Sequence, residues 1–143
     1  MTEGLCVVYA NLKPRKLADI MSEGMVMCAS NAEHTQIEIM RPPEGAKVGE
    51  RITLAGNPAG EMTQEIQAVM NPKKKLAEKV LPLLATNDNF EGQFKGHTMM
   101  TSAGPIKSKS LAKCSISWTI YYLLKVNKKS KPLKSLCLWI VKV

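Results

Sequence analysis

The chain has 143 residues and a formal net charge of +8, a length that suits one domain, with or without an appendage, and a modest core. Its apolar runs are broken by Lys, Ser or Pro well short of the ~18 residues that span a bilayer, and no charged-then-apolar leader opens it, so neither a membrane helix nor a signal segment is expected. Cys6, Cys28, Cys114 and Cys137 lie far apart with no CxxC pair, which argues against a zinc site or a disulfide framework and for the reduced thiols of a cytoplasmic protein.

In chain order, CVVYANL (6–12) and MVMCAS (25–30) are continuous apolar runs of strand length, rich in β-formers, and both read as buried strands. Between them NLKPRKL displays Lys13, Arg15 and Lys16 around Pro14. The proline fixes its own φ and disfavours helix at Lys13, so less entropy is lost when the three cations grip an anion. Ser22 and Gly24 then permit a hydroxyl contact and a close backbone approach. QIEIM (36–40) alternates, which places Ile37 and Ile39 on one face of a strand with a wet side. RPPEGAKVGE (41–50) is turn chemistry, and RITLAG (51–56) offers a further strand. No internal repeat appears.

The helical signal is strongest in NPKKKLAEKVLPLL. Asn71 suits an N-cap, Pro72 suits the first helical position, and Leu76, Val80 and Leu83 fall on one face before Pro82 ends or bends the helix. Lys73, Lys74 and Lys75 occupy the first turn, where the macrodipole favours anions and each cation forgoes about 0.3–1 kcal/mol. That placement is explained by an anionic partner bound jointly by the lysines and the free N–H groups. The other reading, for these lysines and for Lys13, Arg15 and Lys16, is a solvated surface.

Charge is unevenly distributed. Residues 1–70 hold six Lys or Arg against nine Asp or Glu, residues 71–116 eight against three, and residues 117–143 six against none; Glu91 is the last carboxylate side chain. A field of one sign over half a chain attracts polyanions such as nucleic acid or an anionic membrane.

NLKPRKL, MSEGMVMCAS, RPPEGAKVGERI and NPKKK occur in the order and at the spacing of the tRNA-binding domain family, which they resemble over about residues 5–117. The match is to its eukaryotic form, similar to endothelial monocyte-activating polypeptide II and to the C-terminal domains of methionyl- and tyrosyl-tRNA synthetases. TNDNFEGQFKG and GPIKSKSLAKCSIS look like the extension of that form. The resemblance implies a mainly β fold: a partial OB-fold barrel over residues 1–58, then a small mixed α/β extension over 59–117 that packs like a built-in second subunit. It implies a non-enzymatic, cytoplasmic module that recruits tRNA to an aminoacyl-tRNA synthetase or multisynthetase assembly. Asn11, Lys13, Arg15, Lys16, Ser22 and Met25 would lie at the RNA-binding or strand-joining part of the barrel, with Met25 half in the core, and Lys73, Lys74 and Lys75 would add to the RNA contact. A scaffold piece of a synthetase assembly, or a released cytokine-like fragment, is the alternative.

Two departures from the family pattern stand out. The chain is expected to begin near the family's fourth strand, so an OB barrel built from it is open, with edges that invite pairing. Residues 118–143 have no counterpart in the pattern: they hold both tryptophans, two of three tyrosines and no acid. They read either as a basic, aromatic arm for bases or anionic lipid, or as sequence translated beyond a lost stop. No catalytic constellation is present, since His34 and His97 are isolated, and no cofactor or metal is implied.

Overall fold

The computed structural model describes residues 4–10, 12–17, 20–22, 24–56, 76–119 and 138–142. The fold is mainly β. Its strands are β1 (Leu5–Tyr9), β2 (Arg15–Leu17), β3 (Ile20–Ser22), β4 (Met25–Ser30), β5 (Ile37–Ile39), β6 (Thr53–Leu54), β7 (Leu84–Thr86), β8 (Gly92–Phe94), β9 (His97–Thr101), β10 (Gly104–Pro105), β11 (Ser115–Thr119) and β12 (Leu138–Lys142), and the α-helix α1 covers Leu76–Val80. All the pairings are antiparallel, and the main sheet runs β10-β9-β8-β7-β11-β4-β1-β12, with β5 also on β4 and β6 also on β9; β2 and β3 form a separate ribbon.

The two continuous apolar runs become β1 and β4 because each is buried on both faces. Val7, Tyr9, Met27 and Ala29 enter the larger core with Met40, Leu84, Met99, Ile106 and Ile116. The alternate residues Cys6, Val8, Val26 and Cys28 form a second cluster with Ile39 against it. Burial pushes the Cys6 thiol up to about 11, with Arg41 opposing the rise and Cys28 adding to it, so this thiol is protonated and inert at neutral pH. Burial likewise pushes the Tyr9 phenol up.

β4 is the hub. One edge pairs with β11 along its whole described length, from Ser30↔Ser115 to Val26↔Thr119. The other edge divides: Met25 and Val26 face β1, whereas Cys28 to Ser30 face β5. At the fork, Met40 N–H donates to the Met27 carbonyl (2.9 Å) and Val7 N–H to the Met40 carbonyl (3.4 Å). One strand serving two partners on one edge curls the sheet, giving the half-barrel of an OB-like fold. Through β11 and β7 the C-terminal extension joins the same sheet as the first strands.

Three expectations change in detail. The strand expected over 51–56 shortens to Thr53–Leu54. The helix expected from Asn71 lies outside the described residues until Leu76, and after Val80 the chain tightens into a 3₁₀ turn, Leu81–Leu83, around Pro82. Three residues per turn replace 3.6, so Val80, Leu81 and Leu84 pack on the core while Leu83 is left exposed. The expected apolar face therefore loses its last member. Finally, the tail contributes β12, which covers the free edge of β1 from Leu5↔Lys142 to Tyr9↔Leu138.

Among the described residues no helix is long and apolar enough to cross a membrane.

Candidate nucleic-acid interface

The segment that displays Lys13, Arg15 and Lys16 is not a plain loop. After β1 ends at Tyr9, the chain folds into the β2–β3 ribbon, registered Arg15↔Ser22, Lys16↔Met21 and Leu17↔Ile20. Lys13, Pro14 and Lys16 are exposed. Arg15 lies on β2 one residue before Lys16. Among the described residues no salt bridge engages Lys13 or Lys16, so the two ammonium groups carry undivided charge into solvent.

Ser22 and Gly24 anchor this ribbon from within. The Ser22 hydroxyl is buried and donates to the Gly24 carbonyl at 3.1 Å, so it is committed to the turn into β4. A Cβ on Gly24 would stand 2.8 Å from the Tyr9 carbonyl oxygen and 3.0 Å from Val8 Cγ1. The close approach expected at Gly24 is therefore an approach to β1 of its own chain. Met25 opens β4 half-buried and packs against the larger core. Asn11, Lys73, Lys74 and Lys75 lie outside the described residues.

Two lysines of the extension behave differently. Lys107 Nζ stands 3.4 Å from Glu91 Oε1, and Lys113 Nζ stands 2.8 Å from Asp88 Oδ1. The hydrogen bond and charge of Asp88 raise the Lys113 pKa. Glu91 is itself held by Asn87, whose Nδ2 donates to its Oε2 at 2.9 Å and whose Oδ1 accepts the Asn89 and Glu91 N–H groups. Beside them, Glu38 of β5 accepts from Ser110 N–H (2.8 Å), Ser110 Oγ (2.5 Å) and Leu111 N–H (3.3 Å). Partial burial works against its ionisation, but these hydrogen bonds, with one from the Lys109 N–H, bring its pKa below the usual carboxylate value. Glu50 is used in the same way, accepting from Lys47 N–H (3.1 Å) and from Ser102 N–H. Carboxylates of both halves thus tie down loops of the extension.

Lys79 and Lys95 were not singled out by the sequence. Lys95 is at the tip of the β8–β9 hairpin, where Phe94 pairs with His97 across Lys95 and Gly96. Both tip residues have positive φ, 50° and 81°, as a type I′ turn requires. The signal that could have found it is a Lys-Gly pair between two strand-forming runs, GQF and HTMMT.

One comparison with known proteins bears on the part of the chain that contains β1 to β5, and the others span most of the chain. Residues 1–51 match the family described as "Putative tRNA binding domain". This part of the chain is similar to the tRNA-binding domain family. It is 37% identical over 116 residues to the cytoplasmic methionine–tRNA ligase of Arabidopsis thaliana, a match covering 81% of this chain and 14% of that protein. It is 39% identical over 112 residues to the cytoplasmic tyrosine–tRNA ligase of Xenopus tropicalis, covering 78% of this chain and 20% of that one. It is also 38% identical over 117 residues to aminoacyl tRNA synthase complex-interacting multifunctional protein 1 of Cricetulus griseus, covering 81% and 31%. The chain therefore spans less than a third of the length of each of these relatives. Among solved structures, the C-terminal domain of Plasmodium vivax p43 is similar, with a TM-score of 0.66 and 30% identity, covering 77% of this chain and 64% of that one.

Proposed function

We propose that this chain is a tRNA-binding module that recruits tRNA to an aminoacyl-tRNA synthetase or a synthetase assembly in the cytoplasm, and that it carries out no chemistry itself. The observation that carries the reading is the β2–β3 ribbon: within the residues matched to the family, Lys13 and Lys16 stand exposed with no described acid beside them. Arg15 shares the strand, and Lys73, Lys74 and Lys75, which precede α1 in the sequence, are the further cations of this reading. Ser22 at the end of the ribbon is hydrogen-bonded to Gly24, Met25 follows it packed on the larger core, and Asn11 precedes it in the sequence. Such a surface binds RNA by neutralising phosphates and fitting A-form shape, without reading bases in the deep major groove. The partnership with a synthetase rests on the names of the relatives.

The test is the affinity of the full chain for tRNA measured from 50 to 200 mM salt. With about four phosphates neutralised, log affinity should fall against log salt with a slope near −3 to −4, roughly a hundredfold over the range. A slope near zero, or equal affinity for tRNA and for a duplex DNA of the same charge, would contradict the reading and favour a scaffold held by apolar contacts.

A further inference from the structure

We propose that the tip of the β8–β9 hairpin and the adjoining end of α1 form a second phosphate-binding contact for RNA, with Lys95 and Lys79 as its cations. This rests on the tRNA-binding reading above and adds to it a site in the C-terminal extension, apart from the β2–β3 ribbon.

Backbone hydrogen bonds bring the parts together. Lys95 N–H donates to the Leu83 carbonyl at 2.9 Å, which fastens the hairpin tip to the 3₁₀ turn that continues α1. Lys79 is exposed and lies four residues before Leu83, about 6 Å of helical rise away. On the other side, Ala55 N–H donates to the Thr98 carbonyl at 2.8 Å, so the chain leaves β6 beside the same tip. The end of β6 and the 3₁₀ turn after α1 are thus both hydrogen-bonded to the β8–β9 hairpin.

The tip is built for presentation. A Cβ on Gly96 would meet nothing within 4 Å, so glycine there serves the turn conformation and leaves open space around it. Lys95 Nζ sits 5.7 Å from the centroid of the Phe94 ring, a placement that steadies the ammonium while keeping it exposed. Among the described residues no salt bridge engages Lys79 or Lys95, in contrast to Lys107 and Lys113. β8 is three sheet steps from β4, by way of β7 and β11, which is about 14 Å along the sheet. The hairpin belongs to the main sheet and the β2–β3 ribbon lies outside it, so the two contacts are carried by different elements of the fold.

The experiment uses the full chain and tRNA, with affinity measured over 50–200 mM salt for Lys79→Gln/Lys95→Asn, for Lys13→Gln/Lys16→Gln and for Lys107→Gln/Lys113→Gln. Asparagine is chosen at 95 because it tolerates positive φ, and a circular dichroism melt of each variant confirms that it folds. The expected result is a loss of roughly fivefold to tenfold for each of Lys79 and Lys95 at 100 mM salt, with a slope shallower by about 1.5–2. Lys95→Arg should restore most of the loss at that position. If the Lys13/Lys16 variant weakens binding while the Lys79/Lys95 variant matches the unsubstituted chain, this second contact is overturned and the tRNA-binding reading stands. If the Lys107/Lys113 variant loses as much as the Lys79/Lys95 variant, the contact is overturned as a specific site, because any lysine then serves. If the unsubstituted chain shows no salt-dependent affinity for tRNA, both readings fail together.

Discussion

Lys13 and Lys16 at the β2–β3 ribbon and Lys107 and Lys113 in the loop between β10 and β11 are used by the structure in opposite ways. In the ribbon, Lys13 and Lys16 face solvent without a described acid partner. In the loop, Lys107 and Lys113 are matched to Glu91 and Asp88, and the loop backbone is clasped by Glu38. Charge that is matched locally holds a loop in place; charge left unmatched is available to a polyanion. Counting lysines ranks the C-terminal half as the more basic, but pairing makes part of that half the less available.

The comparison breaks most severely if the ribbon loses its anchor. Gly24→Val places side-chain atoms where even a Cβ lies 2.8 Å from the Tyr9 carbonyl oxygen, and this contact is with backbone, which yields little. A loss of about 2–3 kcal/mol in a denaturant titration is expected, together with a fall in tRNA affinity at salt concentrations where the chain remains folded. An unchanged midpoint would show that the ribbon does not depend on its seat against β1.

A smaller effect sharpens the other side. Glu38→Gln keeps the shape of the side chain but weakens an acceptor of three hydrogen bonds to Ser110 and Leu111. Because the carboxylate is largely solvated, about 1 kcal/mol of stability is expected to be lost. The folded-state pKa of Glu38 lies below the ordinary value, so its contribution is present above that ordinary value and disappears as pH falls through the depressed one. The unsubstituted chain and the variant should therefore converge in stability on acidification. A gap that persists at low pH would assign the clasp to packing instead of charge.

Much of this fold was legible in the sequence. The runs that became β1 and β4 carry apolar residues at every position because both faces are buried, and that pattern needs no partner to be read. The ribbon was not legible: RKL and IMS are too short for periodicity, and Ala18-Asp19 between them has neither Gly nor Asn to announce a turn. The misplaced exposure of Leu83 came from extending a 3.6-residue period across Pro82, where the chain had changed to three. Exposure of Lys13 and Lys16 followed from Pro14 and the surrounding polarity, but the inward commitment of Ser22 depends on Gly24 and Tyr9, and only the fold brings that pair together. Lys107 and Lys113 could not be told apart from Lys79 and Lys95 by composition, because their acid partners lie 16 and 25 residues away along the chain. The pairing of β12 with β1 joins opposite ends of the chain, a relation that no local pattern encodes.

The most direct test of the account is a comparison of salt slopes for tRNA binding between Lys13→Gln/Lys16→Gln and Lys107→Gln/Lys113→Gln, two variants with the same net charge. The account predicts a slope shallower by about 1.5–2 for the first and within about 0.3 of the unsubstituted chain for the second, since only unmatched cations release counterions from RNA. Equal slopes for the two variants would show that net charge alone governs binding, and would contradict the division between matched and unmatched lysines.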